Sequence, residues 1–145
     1  MTDEARERMC MMAGLGDYPA AAVLRAEDIV RAKKFYNDVL GLKPGVLPGP
    51  GSDDLAMFTA GDGTMVMIYE RPGMPAPQST ALGFGLPADK FDEAAADLRA
   101  KGVTFEDYDL PEIGLKTVNG IAEYEGTKTA WFKDSEDNIV NIAAM

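Results

Sequence analysis

The chain has no histidine. Imidazole is the commonest general acid/base near neutral pH and the commonest metal ligand, so Ser-His-Asp and Cys-His nucleophile sites are excluded, together with zinc sites built on histidine. Cysteine is almost absent as well: Cys10 stands alone, unable to form an internal disulfide or a thiolate cluster. It reads as an inert thiol in a reducing compartment, which points to the cytoplasm. Positive charge is scarce, with 14 Lys and Arg against 24 Asp and Glu and a formal net charge of -10. Such a surface repels phosphate, so neither nucleic acid nor an anionic membrane is expected as a partner. No apolar run approaches the roughly 20 residues that span a bilayer. The opening MTDEARERMCMMAGLGD lacks the basic-then-apolar order of a secretory signal.

What is present is ordinary globular composition over 145 residues, with 46% hydrophobic and 26% charged residues, enough for one domain with its own core. The organising feature is a repeated grammar. Residues 18–42, YPAAAVLRAEDIVRAKKFYNDVLGL, read as a short apolar strand at 20–26, then a helix with Asp28 as N-cap and Gly41 as its left-handed stop. Residues 81–103, ALGFGLPADKFDEAAADLRAKGV, repeat the scheme with Asp89 as cap and Gly102 as stop, at the same spacing. The first helix carries Ala32, Phe35, Tyr36, Val39 and Leu40 at helical spacing, and the second carries Phe91, Ala94, Ala95 and Leu98.

After the first helix the pattern predicts a strand at 42–46, a Pro/Gly-rich loop, and a hairpin of strands 55–60 and 64–69 turning at 61–63. Residues 71–79 form a proline-stiffened linker. After the second helix come strands at 103–108, 128–133 and 139–143, the last two joined by Asp134-Ser135-Glu136-Asp137-Asn138. The order is βαβββ twice, an α+β chain. Residues 1–17 form an arm or short helix that could pack on a second subunit. Residues 18–145 form one domain, with module one at 18–72, a linker at 73–79 and module two at 80–145. Each module is too small to cover both faces of its sheet. The two are expected to pair edge to edge, within one chain or across a dimer, as a curved mixed sheet around a cup-shaped cavity.

Alternation along the strands nominates the cup residues. Ala21, Val23 and Arg25 share a face, so Arg25 can bind a carboxylate or phosphate there, or pair with an acid at the sheet rim. Met57, Met65 and Met67 lie on neighbouring strands, and their thioethers suit a soft apolar pocket as well as plain core filling. Trp131 and Phe132 point to opposite faces. Alternation does not say which enters the cup, and Trp131 is chosen because indole offers a stacking face and one donor. Tyr69 and Tyr124 are aromatic candidates of the same kind. Asn141 can orient a ligand through its amide or bond a loop backbone. Glu70, Glu123 and Glu125 are the carboxylates nearest the rim, solvated charges unless burial turns one into a base.

Three stretches resemble the vicinal oxygen chelate superfamily, which holds glyoxalase I, the bleomycin-resistance proteins and the extradiol dioxygenases. The first runs from Asp28 through Phe35-Tyr36 to Leu40-Gly41-Leu42. The second is Leu98-Arg99-Ala100-Lys101-Gly102-Val103, and the third is Trp131 to Asn141, close to an F-x-D-P-x-G-N ending. The resemblance implies the glyoxalase/bleomycin resistance/dihydroxybiphenyl dioxygenase-like fold over residues 18–145. It does not select a reaction, because the superfamily spans lyases, epimerases, dioxygenases, transferases and binders. Metal-dependent relatives take ligands from the first and last strands of each module. By counting from the strand-to-helix acids, the matching positions here are Ala21, Met67, Leu82 and Asn141, which is not a divalent-metal shell.

Two functions lead, with an accessory domain that only mediates protein contacts as a third. One is a metal-free, cofactor-free binding module, cytoplasmic and homodimeric, that sequesters a small, partly apolar ligand through Arg25, Met57, Met67, Tyr69, Trp131 and Asn141, with Arg25 available for an anionic group. The alternative is a superfamily enzyme, a lyase, isomerase or dioxygenase, using a non-standard carboxylate metal site or a metal-free carboxylate base. Its catalytic residues are not identified by the sequence.

Overall fold

A computed structural model describes residues 2–6, 14–45 and 53–145. Cys10 and its neighbouring methionines, Val46 and most of the loop after it lie outside the described residues. Module one builds a four-stranded sheet from β1 (Ala21–Ala26), β2 (Lys43–Pro44), β3 (Leu55–Thr59) and β4 (Met65–Glu70), in the order β1-β4-β3-β2. β1 runs parallel to β4 and the other pairs are antiparallel. Pro44 is tolerated because β2 is an edge strand, where one missing N–H costs little. Module two builds the order β5-β10-β9-β8-β7-β6 from β5 (Thr80–Leu86), β6 (Asp109–Leu110), β7 (Leu115–Val118), β8 (Ile121–Tyr124), β9 (Thr127–Lys133) and β10 (Ile139–Ala144). β5 and β10 are parallel, as β1 and β4 are. The fold is α+β, with β1 and β5 as the facing edges of the two mixed sheets within one chain.

One helix covers one face of each sheet. Asp28 caps α1 (Ile29–Lys34) by accepting from the Val30 and Arg31 N–H groups. From Phe35 to Val39 the helix widens to i→i+5 bonding, with the Leu40 N–H reaching the Phe35 carbonyl at 3.1 Å, and it ends at Gly41, whose φ is 73°. The wider turn places Phe35 and Leu40 against both cores, so α1 serves the two modules together. α2 (Phe91–Ala100) buries Phe91, Ala95 and Leu98 against Phe132, Val140 and Ile142. Asp89 does not cap it. Three residues of tighter helix, Ala88–Lys90, intervene, and Lys90 takes the cap position with no side-chain bond.

Two further expectations are corrected. Of the strand at 103–108, only a Phe105–Phe132 bridge and a 2.8 Å bond from the Glu106 N–H to the Trp131 carbonyl remain. The segment between the strands expected at 103–108 and 128–133, for which the pattern offers no strand, holds β6 and the β7–β8 hairpin. That hairpin turns through Asn119 and Gly120, both with positive φ, the two-residue turn whose twist suits antiparallel strands. Among the described residues no helix is long and apolar enough to cross a membrane.

The modules are joined by the turn from Asp134 to Asn138. Glu136, 2% exposed, accepts from Arg31 Nε at 2.8 Å, Arg31 Nη2 at 2.9 Å and the Asp28 N–H at 2.8 Å. Asp134 accepts from the Tyr36 hydroxyl at 2.6 Å and from the Glu136 and Asn138 N–H groups. Asn138 Nδ2 donates to the Arg25 carbonyl at 2.9 Å. Burial pushes the Glu136 carboxyl up, but the Arg31 guanidinium and the Asp28 N–H outweigh it and hold the pKa at about 2. Burial and the adjacent Asp134 charge push the Tyr36 phenol well above its ordinary value.

Candidate functional site

The sheet faces turned away from the helices form the candidate site. On β1, Leu24 and Ala26 enter the core, so Ala21, Val23 and Arg25 lie on the open face, where Val23 is 57% exposed. Strand pairing arranges that face in three rows: Arg25–Tyr69–Leu55, Val23–Met67–Met57 and Ala21–Met65–Thr59. Four of the six nominated residues therefore stand in adjacent rows of the first sheet. The Met57 side chain leans toward the β2 edge, where a Cβ on Gly45 would meet its Cε at 2.7 Å, and the Gly45 N–H bonds the Met57 carbonyl.

In the second sheet the corresponding rows are Gly83–Asn141–Trp131 and Gly85–Ala143–Thr129. Phe132 is fully buried beneath α2 while Trp131 is half-buried on the open face. Trp131 borders a cleft of about 350 Å³ lined also by Leu115, Ala122, Thr127 and Thr129. Its indole N–H is not free, since it donates to Thr80 Oγ1 at 3.2 Å, and the Tyr108 ring meets it edge-on at 5.6 Å. Burial, and then the charge of Glu106, raise the Tyr108 phenol pKa, so that ring stays neutral. Among the described residues no hydrogen bond reaches the Asn141 side chain, which lies across Gly83 so closely that a Cβ there would collide with Asn141 Oδ1. Asn141 and Trp131 thus form a second group on the second sheet, separate from the rows around Arg25.

Leu82 is not a cup residue. It pairs with the buried Val140 and packs against both cores, and Gly83 takes the open face. The connection from β5 to α2 is longer than that from β1 to α1, so counting back from the acid lands one residue off. In a strand that flips the face. The alternation of Gly83 and Gly85 with Leu82, Phe84 and Leu86 carried this information in the sequence.

With Gly83 in place of Leu82, the four positions that the resemblance implies for a metal are Ala21, Met67, Gly83 and Asn141. They offer no carboxylate, imidazole or thiolate, and among the described residues no group of three or more His, Cys, Asp or Glu could hold an ion. The residues do not fit a divalent metal. The rim carboxylates are otherwise engaged or solvated: Glu70 accepts the Ile29 N–H at 2.9 Å at the start of α1, and Glu123 and Glu125 are exposed at the end of β8.

Arg25 is the unusual group. Its Nε and Nη1 are buried and have no hydrogen-bond partner. A desolvated N–H without an acceptor costs free energy, and more so on a cation. Arg71, just past β4, has its Cζ 5.9 Å from the Tyr69 ring centroid, and the sequence had not singled it out.

Residues 19–109, more than half of the chain, match the model of the Glyoxalase/Bleomycin resistance protein/Dioxygenase superfamily, and the chain belongs to that superfamily. Its fold is similar to that of a glyoxalase/dioxygenase from Nostoc punctiforme, at 15% identity over 84% of this chain and 86% of that one with a TM-score of 0.61. It is also similar to the fosfomycin resistance protein FosX from Mesorhizobium loti, at 12% identity over 89% and 92% with a TM-score of 0.62. The oxidase ChaP-H2 matches at 20% identity over 88% and 93% with a TM-score of 0.62. At these identities the likeness concerns the fold alone. No curated protein sequence matches the chain.

Proposed function

We propose that the protein binds a small, partly apolar molecule in the cup without a metal, acting by sequestration in the cytoplasm as a homodimer. The observation that carries this reading is Arg25, whose buried Nε and Nη1 lack partners on a face that also bears Met57, Met67 and Tyr69. Soft thioethers adapt to varied apolar shapes, and an unsatisfied guanidinium gives one fixed polar anchor. Trp131 and Asn141 supply an aromatic wall and a free amide on the second sheet. Residues 18–72 and 80–145 serve as the two walls, with the linker outside the cup. The exposed apolar side chains of Leu15, Tyr18, Val118 and Tyr124 favour a second copy as partner. The carboxylate-based enzyme has less support, because Glu70 is spent on a helix terminus.

Calorimetric titration with small aromatic and aliphatic ligands, neutral and anionic, tests the reading. Binding at micromolar to millimolar affinity is expected for some members, and Met67→Glu is expected to abolish it while leaving the circular dichroism spectrum intact. A panel without any binder overturns the proposal, as does stoichiometric transition metal in the purified protein. Sedimentation velocity checks the dimer.

A further inference from the structure

The proposed cup leaves open what kind of anion it takes, and the surroundings of Tyr69 address that. Arg25 is its register partner on β1, and Arg71 places its Cζ 5.9 Å from the ring centroid. Two arginines thus neighbour Tyr69, one through strand register and one through its ring. Among the described residues neither makes an ion pair with a carboxylate. Acids are close in sequence but turned to other work. The Glu27 carboxylate accepts the Gly73 N–H at 2.9 Å, and the Glu70 carboxylate accepts the Ile29 N–H. Lys33, Lys34, Lys43, Lys116 and Lys133 also make no ion pair among the described residues, but they are exposed, whereas Arg25 keeps Nε and Nη1 buried.

Burying the Arg25 N–H groups without an acceptor costs free energy that an anion can recover, and the exposed Arg71 offers a second positive charge beside Tyr69. One positive charge would suffice for a carboxylate. The overall charge of -10 opposes any anion at long range, so a dianion needs more than one local cation to hold it. We propose that Arg25 and Arg71, together with Tyr69, form a receptor for the dianionic head group of a phosphate ester whose apolar tail lies along Val23, Met67 and Met57. This rests on the binding reading above and assigns Arg71 a specificity role that Arg25 alone does not supply. Guanidinium forks match the oxygens of such a group, and the tail rows are apolar.

Phenyl phosphate and phenyl sulfate share a tail and a tetrahedral head but differ by one charge at about pH 8, where the phosphate ester, with a second pKa near 6, is a dianion. Calorimetry on the full chain is expected to show phenyl phosphate binding at least about tenfold more tightly than phenyl sulfate. Arg71→Gln is expected to bring the two to within about twofold, with phenyl phosphate losing more affinity than phenyl sulfate. Lowering the pH to about 5 should weaken phenyl phosphate alone. Equal affinities in the wild type, or a preference untouched by Arg71→Gln, overturn the assignment. Toluene and phenol separate the two failures. If they bind and neither anion does, the dianion receptor is wrong and the apolar cup stands; if nothing binds, both fall. Arg71 is exposed, and a circular dichroism melt of Arg71→Gln matching the wild type ensures that the loss is one of recognition.

Discussion

Arg31 and Arg25 lie close together in sequence, one on α1 and one on β1, and the structure treats them in opposite ways. Arg31 is half-exposed yet binds Glu136 through two nitrogens at 2.8 and 2.9 Å. Arg25 keeps two nitrogens away from both water and any acceptor. The contrast extends to their surroundings. At the turn from Asp134 to Asn138 the buried Asp134 and Glu136 carboxylates each collect several donors, although Ser135 Oγ and Asn138 Oδ1 beside them have no partner. On the cup face, the Arg25 guanidinium and the Asn141 amide are left open. The satisfied charges of the turn hold the modules together, and the unpartnered cation on the cup face is one that a ligand can complete.

The sharpest way to break the first half of this comparison is Arg31→Ala. It leaves Glu136, whose side chain is fully buried, with only a backbone donor from α1. Removing one partner of a buried pair costs about 3–5 kcal/mol, and the low end is expected because Arg31 itself is half in water. Urea titration should show it as a lower midpoint. The double variant Arg31→Ala/Glu136→Ala should recover part of the loss, since the stranded charge goes too; full additivity of the two single changes would show that the pair is not coupled.

Acid dependence gives a second, smaller effect. The Glu136 carboxyl is lowered from 4.5 to about 2 in the fold. A carboxylate with a depressed folded pKa contributes stability that is present above its unfolded pKa and is lost as the pH falls through the folded one. Between about pH 4.5 and 2 the wild type should therefore lose on the order of 2–3 kcal/mol from this group. In Arg31→Ala the guanidinium that does most to lower the carboxyl is gone, so the folded pKa moves back toward the unfolded value and the acid loss should shrink. Thermal melts of both proteins between neutral pH and about pH 3 read this directly. Parallel curves would mean that Arg31 does not set the Glu136 charge.

How much of this was legible in the sequence depends on the range of the interaction. The first helix, its Asp28 cap and its Gly41 stop are local, and the structure has them where the pattern puts them. The Asp134 to Asn138 run was visible as a family ending and as a turn. Its work was not, because its partners Arg31 and Tyr36 lie 105 and 98 positions away. The β7–β8 hairpin was missed although Asn119-Gly120 is a strong local turn signal, since the βαβββ pattern had already been filled without it. Leu82 was misplaced by one residue of connection length, which spacing alone cannot reveal in a period-2 element. Arg25 was legible as a cup residue by alternation, but its unpartnered state is a property of everything around it. Arg71 carried no signal at all, being the first residue of a proline-rich segment.

The smallest expected effect tests the second half of the comparison. Arg25→Met replaces a desolvated, unpartnered guanidinium by an apolar chain of similar length on a face already bearing Met57 and Met67. In a network that needs its charge, such a change destabilises. Here nothing in the protein is lost, because no acceptor is left stranded by it, while the cost of burying bare N–H groups disappears. Arg25→Met is therefore expected to leave stability unchanged or raise it by about 1 kcal/mol, seen as a rise of a few degrees in the melting temperature, and to abolish anion binding in the same sample. A loss of more than about 1 kcal/mol would place Arg25 with Arg31 among the groups that hold the modules together, and the distinction between a seam whose charges are paired and a cup whose cation is not would fail at the residue on which it most depends.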